Sequence, residues 1–230
     1  MHNLYNHMAN KYDRWYTTPK GRISHQIEKK AVYAYLKPQK GQSLLDIGCG
    51  TGQYSLDLAS MGLEVTGVDI SRAMLDQARA KAADSVFPAN FIEADAMNLP
   101  FPDESFDLVL SVTALEFVPD LPRALKEAFR VLKKGGRLVV GLIGRHGPWH
   151  SYYAEKARRN PASVFKHARF YSLDELLVAM LGKQIQGKAV LFVPPSFNFD
   201  NEQAALALED AGEHADRRTD GGFICAVSTK

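Results

Sequence analysis

An apolar run that breaks into three closely spaced glycines constrains this chain more than any other stretch. Leu44 to Ser55 reads LLDIGCGTGQYS. Ser43 to Ile47 predicts a strand, Gln53 to Met61 predicts a helix closed by Gly62, and Gly48, Gly50 and Gly52 lie between them. Glycine accepts tight turns and lets the backbone approach a ligand closely. The start of the helix leaves N–H groups unpaired on the same side. Asp46 stands at the strand end, where its carboxylate could accept a hydrogen bond from a ligand ammonium, directly or through water. By itself, such a loop is equally compatible with a plain strand-to-helix turn.

Downstream, strands and helices alternate. Glu64 to Ile70, Ala89 to Asp95, Phe106 to Ser111 and Arg137 to Ile143 predict four further strands. Ser71 is placed to cap the helix RAMLDQARAKAA, and Asp120 to cap LPRALKEAFRVLK, which Gly135-Gly136 ends. Leu121, Ala124, Leu125, Ala128, Phe129 and Leu132 share one face of the second helix. This alternation predicts an α/β fold with a mostly parallel sheet and helices on both faces. Gly21 to Lys37 predicts a helix ahead of the first strand. Ser172 caps SLDELLVAML, and Lys188 to Pro194 and Gly222 to Thr229 complete seven strands. A chain of 230 residues fits one domain, 1–230, carrying three additions. These are an N-terminal helical lid at 1–37, an insertion or substrate cap at 144–171, and an insertion at 195–221 before the last strand.

Composition excludes several classes. Lys plus Arg number 28 and Asp plus Glu 26, so no global field grips a polyanion and no nucleic-acid partner is expected. The two cysteines, Cys49 and Cys225, cannot build a disulfide framework and fit a reducing compartment. The first residues lack the apolar core of a secretory signal, and no apolar run is long enough to span a bilayer. A soluble cytoplasmic protein without stable membrane insertion is the expectation. No closely spaced Cys, His and acid set suggests a metal.

The glycine loop does not stand alone. The second strand ends in Asp69, where a carboxylate can hold both hydroxyls of a ribose. The third ends in Asp95-Ala96, where an acid can accept from the exocyclic amine of adenine beside a small neighbour. Three successive strand ends thus predict a nucleoside site outside the carboxyl edge of the sheet. The G-C-G-T-G spacing, with Asp46 two residues ahead of it, departs from the dinucleotide fingerprint G-x-G-x-x-G. It resembles the first motif of the class I S-adenosylmethionine-dependent methyltransferases. The likeness continues through VDIS, ADAMNLPF, FDLVLSVTALEFV and RVLKKGGRLVV, and the terminal GFICAVST is similar to the antiparallel final strand of that Rossmann-like fold. The chain is most similar to the small-molecule group that includes the ubiquinone and menaquinone methyltransferase-like proteins.

That resemblance implies S-adenosyl-L-methionine as cofactor and a small-molecule methyl acceptor. Gly48, Cys49, Gly50, Thr51 and Gly52 would line its methionine and ribose portions. Asp69 would hold the ribose, Ile70 and Met74 would pack near the adenine, and Asp95 and Ala96 would bracket its edge. Ser111 and Val112 would face the sulfonium, and Thr113 to Phe117 would open the acceptor side. In KYDRWY, Tyr12 and Tyr16 would fold over the cofactor, or else anchor the first helix on the core. Met74 reads equally as helix core.

Methyl transfer from a sulfonium asks mainly for alignment. No conventional catalytic constellation is present, so the catalytic residues stay unassigned. Glu116, His146, His150 and Tyr171 are candidate pocket groups by position. The basic and aromatic residues of 144–171 read as a lid over the acceptor or as a solvated helical face with its rings turned inward. Two rival functions are a non-catalytic module binding S-adenosylmethionine or S-adenosylhomocysteine, and a NAD-dependent oxidoreductase. A monomer or homodimer is expected.

Overall fold

The computed structural model describes residues 9–214 and 219–230, so the first eight residues of the expected lid and 215–218 of the last insertion lie outside the described residues. Two short helical turns, α1 (Ala9–Tyr12) and α2 (Arg14–Thr17), lead into α3 (Pro19–Leu36). Then follow β1 (Ser43–Ile47), α4 (Gln53–Ser60), β2 (Glu64–Asp69), α5 (Arg72–Ala83), β3 (Ala89–Glu93) and β4 (Phe106–Val112). A 3-10 turn (Leu115–Phe117) leads to α6 (Leu121–Val131), β5 (Leu132–Ile143), α7 (Pro148–Arg159) and a second 3-10 turn (Val164–His167). The chain closes with α8 (Leu173–Ala179), β6 (Lys183–Val190), α9 (Glu202–His214) and β7 (Phe223–Thr229).

The strands form one seven-stranded sheet in the order β3-β2-β1-β4-β5-β7-β6. Both pairings of β7, with β5 and with β6, are antiparallel, so β7 alone runs against the rest. This is the Rossmann-like α/β architecture expected from the sequence. The order reverses direction between β1 and β4, which opens a crevice above their carboxyl ends.

The inner strands are apolar because both faces are covered. Neighbouring residues turn to opposite layers. Leu44 joins Ile23, Ile27 and Val32 of α3, whereas Leu45 joins Leu121, Ala124 and Leu125 of α6. The expected caps are made. Ser71 Oγ accepts from Met74 N, Asp120 Oδ1 from Arg123 N, and Ser172 with Glu175 forms a reciprocal capping box.

Two strand boundaries differ from the expectation. β5 starts at Leu132 rather than Arg137, because the KKGG stretch is held in the ladder: Gly135 N donates to Lys230 O and Lys230 N to Gly136 O. β6 covers Lys183–Val190 rather than Lys188 to Pro194. It is an edge strand exposed over its first half, so its polar residues carry no apolar signature. The apolar residues after it leave the sheet, and the Leu191, Phe192 and Val193 amides converge on the Glu209 carboxylate. The 144–171 segment contains α7. Trp149 is 1% exposed and donates from Nε1 to Val193 O at 2.9 Å. Arg158 and Arg159 lie on the solvated side, paired with Glu155.

Candidate active site

The glycine turn is built from three positive-φ residues with different surroundings: Gly48 at +72°, Gly50 at +53° and Gly52 at +81°. A Cβ at Gly48 would lie 2.2 Å from the Ala114 Cβ, so only glycine lets β1 and the end of β4 close up. A Cβ at Gly50 would meet nothing within 4 Å, so that residue faces open space. Gly52 starts α4 and packs toward Phe91 and Ala78.

Asp69 fixes this turn. Its Oδ2 accepts from Gly50 N at 2.9 Å and its Oδ1 from Ser71 N at 2.8 Å. Each carboxylate oxygen retains acceptor capacity toward the crevice, which Asp69 lines. Around it runs a cavity open to solvent. Its walls come from the end of β1 (Ile47, Gly48, Gly50), the end of β2 (Val68, Asp69, Ile70) and Met74 of α5. The β3 side adds Asp95, Ala96 and Met97, and the β4 side adds Thr113, Ala114, Leu115 and Phe117. Asp95 Oδ1 accepts from Met97 N at 2.8 Å, which holds the turn carrying Ala96. Met74 is both core and wall, because it is buried and lines the cavity.

A smaller cavity adjoins through Gly48, Gly50, Tyr12 and Thr113, and adds Asp46, Tyr16, Tyr54 and Val112. Asp46 is buried beneath it and accepts from Ser55 Oγ at 2.6 Å; burial pushes its carboxyl up to about 7. No ion pair reaches Asp46 among the described residues, so a ligand ammonium would suit it.

Some residues named from the sequence point elsewhere. Ser111 is 1% exposed and donates to Ile47 O at 2.8 Å, locking β4 to β1 rather than facing either cavity. Thr113 and Ala114 occupy the cavity wall at that strand end. Cys49 packs its side chain with Leu75, Ala78 and Phe91 beneath the turn, although the residue borders the smaller cavity. Thr51 is buried and donates to Asp13 Oδ1 at 2.6 Å. His150 stacks edge-on to Phe170, Tyr171 is buried beneath Arg169, and His146 is exposed.

Asp13 and His167 were missed by sequence reasoning. His167 borders the larger cavity from the second 3-10 turn, and nothing local in the sequence marks it. Asp13 lies within KYDRWY, between the aromatic residues that drew notice. It accepts from Thr51 Oγ1, from Gln53 Nε2 at 2.9 Å and from Lys81 Nζ at 2.9 Å, which ties the N-terminal segment to the glycine turn. Those neighbours hold its carboxyl below the usual range despite some burial. Tyr12, next in chain, borders both cavities and meets Tyr16 edge-on at 5.8 Å. Asp13→Ala is expected to speed proteolytic cleavage within residues 9–18 several-fold while the core melts within about 1 kcal/mol of wild type. Timed proteolysis with mass spectrometry reads this, and unchanged cleavage would show that the tether is dispensable.

Glu116, in the turn after β4, is 0% exposed. Its Oε1 accepts from Ile143 N at 3.3 Å, and its Oε2 has no partner. Burial pushes the carboxyl up from 4.5 to about 7. The folded chain therefore holds this proton where the unfolded chain releases it. The associated stability is complete below about 4.5 and is lost as pH rises through about 7. Glu28 and Asp46, also raised, act in the same direction; His25, pushed down to about 4 by burial and then by Lys29, acts oppositely. Glu116→Gln isolates one group. Relative to wild type, its unfolding free energy is expected to gain about 2–3 kcal/mol between pH 4.5 and 8, read by urea denaturation. A difference that does not vary with pH contradicts a buried neutral carboxyl.

The whole chain superposes, at a TM-score of 0.76 and 30% identity, on the crystal structure of an S-adenosylmethionine-dependent methyltransferase from Thermotoga maritima, described as a possible histamine N-methyltransferase, with 100% of each chain covered. This chain belongs to the S-adenosylmethionine-dependent methyltransferases. The family model described as "Methyltransferase domain" matches residues 45–140 of the methyltransferase, the span from β1 into β5. Over 143 residues it is 39% identical to a demethylmenaquinone methyltransferase of Staphylococcus epidermidis; the match spans 60% of this chain and 58% of that relative. An uncharacterized protein of Methanocaldococcus jannaschii is 31% identical over 231 residues, 99% of both chains. The comparisons lend no support to a dinucleotide oxidoreductase or to a non-catalytic module. Among the described residues, no helix of the methyltransferase is long and apolar enough to cross a membrane.

Proposed function

We propose that the methyltransferase binds S-adenosylmethionine across the two cavities and delivers its methyl group to a small-molecule acceptor entering past Thr113 to Phe117. The observation that carries this reading is the pairing of Gly50, which faces open space, with Asp69, whose carboxylate holds the Gly50 amide and still faces the crevice. The residues present fit an adenosyl sulfonium. Asp69 would take the ribose hydroxyls, Ile70 and Met74 the adenine face, and Asp95 with Ala96 its edge. Gly48 and Asp46 would take the amino-acid end. When bound, S-adenosylmethionine supplies an electrophilic methyl group on a good leaving group. The chain is then left to align the acceptor and to exclude water.

Within this reading the described part of the N-terminal region, residues 9–37, is the lid. Tyr12 and Tyr16 cover the smaller cavity, and Asp13 latches them to the turn. The 144–171 insertion caps the acceptor side through α7 and the turn carrying His167. The 195–221 insertion braces the edge of the fold, with Glu202 of α9 paired to Arg22 of α3 at 3.1 Å and Glu209 holding the chain after β6.

Isothermal titration of the folded protein with S-adenosylhomocysteine tests the assignment. One site of micromolar affinity, about −8 kcal/mol, is the expected result. Silence from a protein with a cooperative melt would overturn it.

A further inference from the structure

Beyond the residues given to the cofactor, the larger cavity has an apolar wall of Met97, Leu115, Phe117, Val118 and Pro119. Two polar side chains interrupt it, Thr113 just past β4 and His167 from the 144–171 insertion. Of the two, only an imidazole takes a proton near neutral pH. His167 is exposed, and among the described residues its ring has no hydrogen bond, ion pair or ring contact.

The fold nevertheless fixes its place. Phe165, two residues earlier, meets Phe117 of the cavity wall at 6.0 Å and Tyr153 of α7 at 4.2 Å. Two residues later, Arg169 N donates to Glu116 O at 2.7 Å. The 3-10 turn carrying His167 is thus tied on both sides to the turn Leu115–Phe117 that follows β4. An imidazole held at a cavity wall and engaged with nothing is free to serve a ligand.

The remaining lining sets that ligand's chemistry. The other titratable side chains bordering the cavity are Tyr12, Asp69 and Asp95. The two carboxylates are those given to the nucleoside, and burial raises the Tyr12 hydroxyl away from the range of a base. Among the described residues, no lysine or arginine borders the cavity. An acceptor with a fixed ammonium or carboxylate finds no spare countercharge there, and an unpaired charge is costly to desolvate. A neutral apolar body with one proton to lose fits instead. Imidazole can take that proton from a group of moderate acidity. A phenol, which ionises at about 10, qualifies; an aliphatic alcohol is far too weak an acid.

We propose that the methyl acceptor is a phenol, its ring against Phe117, Val118 and Pro119 and its hydroxyl at His167, which acts as the general base. This rests on the methyltransferase site proposed above and names its substrate class. The phenol passes its proton to an imidazole nitrogen of His167. Its oxygen forms the new bond to the methyl carbon as the carbon–sulfur bond breaks and leaves its electron pair on sulfur. The imidazolium then returns the proton to water. The atom methylated is oxygen.

Pairs of matched shape test this. Protein saturated with S-adenosylhomocysteine is titrated with 2-naphthol against naphthalene, 4-ethylphenol against ethylbenzene, and 5-hydroxyindole against indole. At least one phenol is expected to bind about threefold to tenfold more tightly than its parent, as one hydrogen bond warrants. His167→Leu is expected to erase that preference. With S-adenosylmethionine in place of the product, wild type should convert the preferred phenol to its methyl ether. His167→Gln keeps a hydrogen-bonding group without a base, so KM should stay within about threefold while kcat falls about 100-fold or more near neutral pH. Raising the pH toward the phenol's own ionisation should recover much of that loss. Both variants should bind S-adenosylhomocysteine at wild-type stoichiometry, which certifies their folding. No phenol preference in any pair, a preference that survives His167→Leu, a preferred phenol that is never methylated on oxygen, or a kcat that His167→Gln leaves intact overturns the proposal. Failure of wild type to bind S-adenosylhomocysteine at all is a different result and overturns the cofactor assignment beneath it.

Discussion

Asp69→Ala is expected to weaken S-adenosylhomocysteine binding about 100-fold, equivalent to about 2.7 kcal/mol. Two losses add. The carboxylate accepts from Gly50 N and Ser71 N, so its removal frees the turn that faces the ligand. It also removes the acceptors proposed for the two ribose hydroxyls, whose hydrogen bonds to a charged group are worth more than neutral ones. Asp69→Asn separates the two. An amide keeps one acceptor oxygen, so an intermediate loss of about tenfold is expected. Burial raises the Asp69 carboxyl while the amide donors lower it again, and the net shift is upward. Affinity should therefore fall on the acid side before it does for an exposed aspartate site. Titration calorimetry across pH 5 to 8 checks all three statements. Full affinity in Asp69→Ala would remove this residue from the site.

Trp149→Ala is expected to lower the unfolding free energy by about 3–5 kcal/mol. Its indole is buried where α7 meets the N-terminal segment and the chain after β6. Its ring lies 6.3 Å from Trp15, 5.8 Å from Tyr152 and 6.4 Å from Phe199, and its Nε1–H is satisfied by Val193 O. Truncation leaves a cavity and an unpaired carbonyl. Trp149 also packs against Tyr153, their ring centroids 6.0 Å apart, so α7 should loosen with it. Denaturant unfolding reads the stability. Hydrogen exchange should show faster exchange in α7 than in α6, whose apolar face packs in the layer on the other side of the sheet. A loss under about 1 kcal/mol would contradict the central place given to this side chain.

Legibility from sequence followed the kind of contact involved. β1, α5 and the caps at Ser71, Asp120 and Ser172 were readable because local signals and the sheet agreed. The strand-end pattern of glycine, Asp69 and Asp95 was readable because a parallel sheet brings successive carboxyl ends to one edge. Side-chain direction was not. Ser111 sits at the expected strand end, yet it turns into the sheet toward Ile47 O, a choice made by a neighbour 64 residues away. β6 was displaced because an edge strand needs no apolar face, so its apolar successor drew the reading.

The local chain alone fixed the turn of three positive-φ glycines, the strand that feeds it and the helix that follows, since those depend on neighbours in sequence. Only tertiary packing decided what surrounds the crevice. Asp13 reaches Thr51 and Lys81, 38 and 68 residues on, and the buried Glu116 carboxyl accepts from Ile143 N, 27 residues on. Such groupings arise when the chain closes on itself. At Glu116 burial then sets the charge, because a carboxyl removed from water tends to hold its proton, whereas at Asp13 the hydrogen-bond donors win and favour the charged form.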